Sequence, residues 1–321
     1  MKKVLLLIQF LSLVSVSSLM AADGYTVSVN QFVEHPALDA VFKGIEDYSK
    51  ENSVNVIFKV HNAQANMGTA TQIAQQMIGE EADLLIAIAT PSAQACAQAL
   101  SKAPDSLKRP LLFTAVTDPV AAGLVKDLNH PGGMITGVSD LLPVKEHLEM
   151  VATFIPGLKR LGVLYNSGEA NSKATVASIK ELSRKLGFDV VEGTASKTAE
   201  VYQAAKSLVG RVDAIFIPTD NTIISALESV IKVGTQNKLP VFAADVDSVT
   251  RGAVAAMGFD YYKHGLQTGA MVERILSGAS PKDIPVEFQK KLELHINVKY
   301  SKMMGVTPPS ELLAMATKII E

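Results

Sequence analysis

The sequence predicts an α/β protein with two doubly wound parallel-sheet lobes. Three observations lead to this fold class. Strand-like and helix-like segments alternate along almost the whole chain of 321 residues. Some strand segments, such as ADLLIAIA at 82–89, are continuous apolar runs, which are typical of parallel strands buried on both faces. The alternation forms two successive series, and about 300 residues suffice for two domains.

The first series predicts the first lobe. Its strands are predicted at 26–32, 54–61, 82–89 and 110–116, its helices at 37–52, 67–80 and 91–103, and a short strand at 131–138 after a loop. The first helix shows the pattern best, because Leu38, Val41, Phe42 and Ile45 recur at helical spacing.

The second series predicts the second lobe. Its helices are predicted at 143–157, 171–187, 199–211 and 221–237, and its strands at 160–166, 188–195, 212–218 and 239–244. Residues 252–278 indicate a strand, a loop and a helix. The remaining segment, 292–321, indicates a strand followed by C-terminal helices.

Residues 1–22 have the pattern of a secretory signal peptide. Lys2 and Lys3 precede an apolar run, and Ala21 and Ala22 offer a cleavage site. The alternative is an N-terminal membrane anchor, but the run is short and rich in serine. We expect export to the periplasm, cleavage near Ala21 or Ala22, and no lipid anchor, because no cysteine lies there.

Composition argues against several function classes. Of the 30 Lys and Arg residues, Lys2 and Lys3 lie in the signal segment, which leaves 28 against 32 acidic residues and a formal net charge of −4. Nucleic acid is therefore a poor partner. Cys96 is the single cysteine, so no intrachain disulfide forms, and a buried structural thiol is expected. The six histidines lack HExxH spacing, so no metal site is predicted.

Polar residues collect where predicted strands end, and in open parallel sheets ligands bind beyond these ends. The segments are 30–36, 90–92, 117–119, 165–172, 218–221 and 245–248. Thr90-Pro91 and Asp118-Pro119 each have the N-cap and N1 arrangement of a helix start, which suits a carboxylate or phosphate. The alternative is that these residues only cap their helices.

No catalytic or cofactor motif is present. The chain has no GxSxG elbow, no P-loop, and no GxGxxG after its first strand. The adjacent pair Glu34 and His35 is weak evidence for acid–base chemistry, and a helix cap or cleft-lining role fits it better. We therefore expect neither an enzyme nor a bound cofactor.

Several motifs together resemble the ABC transporter substrate-binding protein family, including its tryptophan- and tyrosine-type receptors. They are VEHPALDA (33–40), ATPSAQA (89–95), FTAVTDPVAAGLV (113–125), PGGMITGVSD (131–140), LYNSGEANS (164–172), IPTDNTI (217–223) and RGAVAAMGFDYYKHGLQTG (251–269). They span nearly the whole mature chain, and TDPVAAGLV and YNSGEANS are the most specific.

The resemblance implies the type I periplasmic binding fold, with a hinge and a ligand cleft between the lobes. It implies a first lobe of 23–140 plus 252–281 and a second lobe of 141–251 plus 282–321. It also implies a monomer that captures a small solute in the periplasm and delivers it to an ABC permease in the inner membrane.

An amino acid, aromatic ones included, is the implied ligand class. N–H groups near Ser92 and Ala93, with the hydroxyls of Thr90 and Thr117, would bind its carboxylate. Its ammonium would face Asp118, Asp220 or Asp245, and Phe32, Tyr165 or Tyr261 would contact its side chain. The other expected ligand-binding residues are Gln31, Glu34, Pro91, Asn166, Asn171, Ser172 and Asn221, of which Asn166, Asn171 and Ser172 would complete the site on closure.

Other interpretations remain open. Each aspartate also fits a solvated turn, and each aromatic residue also fits ordinary packing. The ligand alternatives are branched aliphatic amino acids, another small carboxylated solute or a nucleoside-like solute. There are three rival functions: an enzyme, a LacI-type ligand sensor, and an extracytoplasmic sensor for a membrane receptor. The export signal and the lack of a DNA-binding segment argue against the LacI-type sensor. Fold alone cannot separate the extracytoplasmic sensor from a transport receptor.

Overall fold

Two sheets organise the chain in a computed structural model that describes residues 24–321. The signal segment 1–22 lies outside the described residues. The first series forms β1 (Tyr25–Gln31), α1 (Pro36–Glu51), β2 (Val56–Asn62), α2 (Met67–Ile78), β3 (Leu84–Ile88), α3 (Thr90–Lys102), β4 (Leu111–Val116) and β5 (Ile135–Ser139). Asp105–Leu107 adds a 3-10 turn.

The second series forms the second lobe. Its elements are α4 (Val144–Phe154), β6 (Arg160–Tyr165), α5 (Ala170–Leu186), β7 (Asp189–Thr194), α6 (Val201–Ser207), β8 (Ala214–Ile217), α7 (Asn221–Ser225), α8 (Leu227–Asn237), β9 (Val241–Ala243), α9 (Asp247–Thr250) and β10 (Ala255–Gly258). The chain then forms α10 (Tyr261–Leu276), β11 (Glu287–Phe288), β12 (Glu293–Asn297), α11 (Val298–Met303), α12 (Ser310–Met315) and β13 (Lys318–Ile320).

The first sheet has the strand order β11-β5-β4-β3-β1-β2, and the second has the order β13-β12-β10-β9-β8-β6-β7. Neighbouring strands are parallel except for β10 and β12, which pair antiparallel. The predicted α/β fold with two doubly wound lobes is therefore confirmed. Each sheet has its own apolar core, and β3, β4 and β8 are buried along their full lengths.

The chain crosses between the lobes three times. The first crossing follows β5, close to the expected boundary at residue 140. The second and third differ from the expected boundaries at 252 and 282, because β10 pairs in the second sheet and β11 pairs with β5 in the first. A strand's own residues do not specify which sheet supplies its hydrogen-bond partner, and this explains the difference.

Two other elements differ from the sequence prediction. The helix predicted at 221–237 is divided into α7 and α8 at Ala226, whose φ is −116° and ψ is 27°. The last helical prediction is wrong at its end, because Lys318–Ile320 forms β13 beside β12. Cys96 is 1% exposed and accepts a hydrogen bond from Asn30, as expected of a buried structural thiol.

Within residues 24–321, no helix combines the length and the apolar character needed to span a membrane.

Candidate functional site

A cavity of about 360 Å³ lies between the two lobes at the carboxyl ends of their strands. The first lobe and its crossovers contribute His35, Ala37, Leu38, Ala115, Thr117, Asp140 and Tyr261, and the second lobe contributes Asn171, Thr219, Asp220, Asn221, Ile224 and Asp245. The wall thus holds three carboxylates, several neutral polar groups and an apolar patch, and none of its residues is Lys or Arg.

The N-terminus of α1 forms one wall. His35 occupies the N-cap position with extended backbone, and no side chain caps the helix. Pro36 at N1 has no N–H, so the first backbone donors of the helix belong to Ala37 and Leu38. Both residues line the cavity.

The end of β4 is strained where it meets the cavity. Ala115 has φ of 52°, a left-handed conformation that residues other than glycine rarely adopt, and the β4–β5 register shifts there. The Ala115 N–H donates to Nε2 of His264 at 3.2 Å. Burial lowers the pKa of His264 to about 4, so the ring is neutral and able to accept this bond at physiological pH. Such strain is often found at binding sites.

Asp140 joins the first lobe to α10. Its carboxylate accepts from the Thr117 hydroxyl at 3.0 Å and from the Tyr261 hydroxyl at 2.9 Å. Burial raises the pKa of Asp140, and these two hydrogen bonds act in the opposite direction. Thr117 also contacts the Thr219 hydroxyl, 3.1 Å away on the second lobe. This chain of contacts spans the cleft.

Two buried carboxylates organise the second lobe. Glu169 accepts from the backbone N–H groups of Asn221 and Thr222 at 3.2 and 3.0 Å, and so caps α7 from a neighbouring loop. Asp220 accepts in return from the Asn166 N–H and the Ser172 hydroxyl, both at 2.6 Å. Burial and the charge of Glu169 raise the pKa of Asp220 to about 8.

Asp245 completes the acidic part of the wall. It accepts from the Ser248 backbone N–H at 2.9 Å and from the Ser248 hydroxyl at 2.7 Å. Burial raises the pKa of Asp245, and its bonds to Ser248 partly offset the effect.

Six of the predicted site residues line this cavity, and the others do not. The six are Thr117, Tyr261, Asn171, Asp220, Asn221 and Asp245. Three others, Phe32, Pro91 and Asn166, line a second inter-lobe cavity of about 720 Å³ together with Glu169 and Lys197. The structure therefore brings together strand ends from both sheets, as the rule for parallel sheets predicts.

The predicted α3 anion site lies outside the first cavity. Thr90 is the first residue of α3 rather than its cap, because Ala89 with φ of 80° occupies the N-cap position. The Ser92 hydroxyl donates to Asn30 at 2.9 Å, and the Ala93 N–H donates to the Ala89 carbonyl oxygen. These groups have partners within the protein and do not line the inter-lobe cavity.

Five further predicted residues have other contacts. Asp118 is half-buried and caps a turn by accepting from the N–H groups of 120 and 121, where no helix forms. Gln31 donates to Asp39 at 2.7 Å, and Glu34 is exposed. The Tyr165 hydroxyl donates to Glu192 at 2.5 Å, and Ser172 lies beneath Asp220.

Sequence reasoning left seven lining residues out of the site: His35, Ala37, Leu38, Ala115, Asp140, Thr219 and Ile224. His35 and Thr219 lie in the strand-end segments 30–36 and 218–221 but were not chosen as ligand-binding residues, and Asp140 follows β5, so the same rule extends to it. Ala115 has no such signal, because its place depends on the bulge in β4.

Two buried polar atoms of the cavity residues have no partner among the described residues. They are Nδ1 of His35 and Oδ1 of Asn171, whose residues are 8% and 3% exposed. Burial, with a smaller contribution from Arg251, lowers the pKa of His35 to about 3, so its ring is neutral at physiological pH. Leaving a buried polar atom without a partner is costly, so both atoms are able to bind a polar group in the cavity. No cluster within 24–321 groups three or more His, Cys, Asp or Glu side chains suitably for a metal ion.

Comparison with known proteins gives consistent matches. A family model described as ABC transporter substrate binding protein matches residues 26–320. A tyrosine-binding protein of Clostridioides difficile strain R20291 is 42% identical over 275 residues, which cover 84% of this chain and 78% of that protein.

Two solved structures differ in how well they superpose. An ABC domain from Streptococcus pneumonia in complex with L-Trp has 35% identity and a TM-score of 0.86, over 92% of this chain and 100% of that one. The ligand-free, open structure of a substrate-binding protein with adhesive properties from Clostridium difficile has 40% identity and a TM-score of 0.66, over 92% and 99%. This chain therefore superposes better on the L-Trp complex, although the open structure has the more similar sequence.

Proposed function

The chain belongs to the ABC transporter substrate-binding protein family and has the type I periplasmic binding fold, and from this premise we propose that it binds an aromatic amino acid between its lobes. It is a solute-binding protein of an ABC transporter, and the family is not one of enzymes. Proteins of this kind act outside the cytoplasm. The proposal adds the ligand class, closure of the lobes around it, and import through a permease from the periplasm.

The composition of the inter-lobe cavity carries the proposal. Asp140, Asp220 and Asp245 make the wall acidic without a lining Lys or Arg, which suits a ligand with an ammonium group. Ala37, Leu38, Ala115 and Ile224 provide an apolar patch, and Tyr261 adds an aromatic ring. A ligand that has both an ammonium group and a large apolar side chain matches this division.

The relatives support the aromatic choice. One is named for tyrosine binding, and another was solved with L-Trp. Both cover most of this chain, and the L-Trp complex superposes on it with a TM-score of 0.86. We extend these names to this protein as a ligand class and not as a single amino acid.

The location and the partner follow from the same proposal. The pattern of residues 1–22 supports export, with cleavage near Ala21 or Ala22 and release of a monomer into the periplasm. The loaded protein then delivers its ligand to an ABC permease in the inner membrane.

Thermal shift measurements test the ligand class. The protein is expressed with its own leader, purified after export, and unfolded and refolded to remove bound ligand. A ligand present at about 100 times its Kd adds roughly 2.7 kcal/mol, which corresponds to a Tm increase of about 5–10 °C. We expect this with tyrosine, tryptophan or phenylalanine and not with leucine, valine or nucleosides.

Asn171→Ala combined with Ser172→Ala is expected to reduce the Tm increase, because Asn171 lines the cavity and the Ser172 hydroxyl donates to Asp220. The chain has no Trp, so bound tryptophan is also detectable by its own fluorescence. The absence of a shift with all three aromatic amino acids would exclude this ligand class.

A further inference from the structure

We propose that the ligand's carboxylate binds to the N-terminus of α1 and to Nδ1 of His35, while its ammonium binds to Oδ1 of Asn171 on the opposite lobe. This inference rests on the proposed function, because it assigns an orientation to an amino acid in the inter-lobe cavity. It also replaces the sequence-based expectation that α3 binds the carboxylate.

The first observation is the uncapped start of α1. No acceptor among residues 24–321 bonds to the N–H groups of Ala37 or Leu38, although the next N–H, that of Asp39, donates to the His35 carbonyl oxygen. α1 has 16 residues, so its dipole adds a partial positive charge at this end. With no Lys or Arg in the wall, these N–H groups are the positive pole of the cavity, and such a pole binds carboxylates.

The second observation is independent of the helix and concerns the imidazole of His35. Its Nδ1 is buried and unpartnered, and the residue lines the same cavity. The ring is neutral because burial lowers its pKa to about 3, and a neutral ring that carries its proton on Nδ1 donates to a carboxylate oxygen.

The third observation fixes the opposite end of the ligand. The Nδ2 of Asn171 donates to the Thr219 carbonyl oxygen at 2.6 Å, and a carbonyl oxygen only accepts. This bond determines which end of the amide is the nitrogen, so the unpartnered atom is Oδ1, an acceptor. An ammonium group supplies the missing donor, and the nearby carboxylates of Glu169 and Asp220 favour a positive charge there.

The two ends of the ligand thus contact different lobes, and this accounts for closure. A zwitterion connects α1 of the first lobe to α5 of the second. A ligand that lacks the carboxylate or the ammonium contacts only one of them, so it stabilises the closed arrangement less.

The test pairs variants with ligands that lack one group. Titration calorimetry would use L-tyrosine, tyramine, which lacks the carboxylate, and 3-(4-hydroxyphenyl)propionate, which lacks the ammonium. We expect His35→Phe to lower the affinity for L-tyrosine about tenfold or more and the affinity for tyramine less than twofold, because tyramine has no carboxylate for His35 to bind. Asn171→Leu is expected to lower the affinity for L-tyrosine by a similar factor and the affinity for the propionate less than twofold, because the propionate has no ammonium group.

His295→Phe is the matched control. It also removes a buried histidine with an unpartnered Nδ1, but His295 lies on β12 outside the cavity, so L-tyrosine affinity should stay unchanged. Tm values of the ligand-free variants show whether each one folds. A crystal structure of the wild-type complex gives a direct second measurement, with the carboxylate expected at the N–H groups of Ala37 and Leu38.

The outcomes separate the two proposals. Suppose that the wild-type protein binds L-tyrosine. If His35→Phe lowers the affinities for L-tyrosine and tyramine equally, or if the carboxylate lies elsewhere in the crystal structure, the proposed orientation is overturned and the proposed function stands. If wild-type protein binds no aromatic amino acid, the proposed function fails, and this inference fails with it.

Discussion

Glu169 and Asp220 show how single side chains build the site. Both are almost fully buried, and each accepts hydrogen bonds from the loop that carries the other. Asp220 also caps its own helix by accepting from the Ile223 N–H at 2.8 Å. Burial and the neighbouring charge of Glu169 raise the pKa of Asp220 to about 8, so Asp220 retains its proton near neutral pH. A bound ammonium would favour ionised Asp220 and release that proton.

The retained proton predicts how stability depends on pH. The pKa of Asp220 is about 8 in the folded protein against 3.8 as its ordinary value, so between these values the folded state binds more protons. The free energy of unfolding of the ligand-free protein should therefore fall from pH 7 to pH 8, by at most about 1.4 kcal/mol per pH unit for one proton, and level off above. His35, His147 and His264 are neutral in the folded protein over this range, because burial lowers their pKa values.

Urea unfolding at pH 7, 7.5, 8 and 8.5 measures this slope. Asp220→Asn should reduce it, whereas Asp189→Asn at an exposed position should preserve it. Equal slopes for wild type and Asp220→Asn would contradict the assignment of the proton to Asp220.

At the scale of elements, the packing of α1 against α10 positions one side of the site. α1 carries His35 at its start, and α10 begins with Tyr261, whose hydroxyl binds Asp140. The helices approach closely at Gly44 and Gly265, where a Cβ on either residue would lie 2.1–2.3 Å from a backbone oxygen of the other helix. Glycine at these two positions therefore determines how far apart the two helix starts lie.

Gly265→Ala tests the importance of this contact. The added Cβ would lie 2.1 Å from the Val41 carbonyl oxygen, so the helices must separate, and we expect a loss of about 1–3 kcal/mol in the free energy of unfolding. Affinity for L-tyrosine should also fall, because α1 moves relative to Tyr261. Gly133→Ala is the control, since no atom lies within 4 Å of its Cβ position and its φ is not positive. Denaturant unfolding that gave both variants wild-type stability would refute the close-packing argument.

At the scale of the whole molecule, the proposed closure brings groups of the two lobes together across the cleft. The hydroxyls of Thr117 and Thr219 meet there at 3.1 Å, and both inter-lobe cavities are lined from both sides. A ligand that contacts both walls therefore adds to the contacts that keep the lobes together. Hinge motion about the three crossovers is the expected response to its removal.

Small-angle X-ray scattering measures this response. We expect the radius of gyration of the ligand-free protein to decrease when L-tyrosine is added. Thr219→Ala removes one hydrogen bond that joins the two lobes, so it should weaken binding about two- to tenfold. Thr153→Ala, at a half-buried position of α4 that does not line the cavity, should change neither quantity. An identical radius with and without bound ligand would argue against closure.

Much of the fold was predictable because local patterns determine it. The apolar runs of β3 and β4 and the helical spacing in α1 come from the residues themselves. The break at Ala226 and the strand β13 were missed, because α7 depends on capping by Glu169 and β13 depends on β12 as a partner. Neither partner is close in sequence.

For the site, the sequence by itself determined the type of chemistry, namely polar residues at strand ends in a chain with an export pattern. Only the tertiary structure decided which of them meet. It gave Ser92 and Asp118 partners within their own lobe, and it placed His35 and Asn171 in one cavity with unpartnered atoms. The physical reason is that strand ends are local features, whereas a binding cavity depends on which sheet each strand joins and on how the two lobes meet.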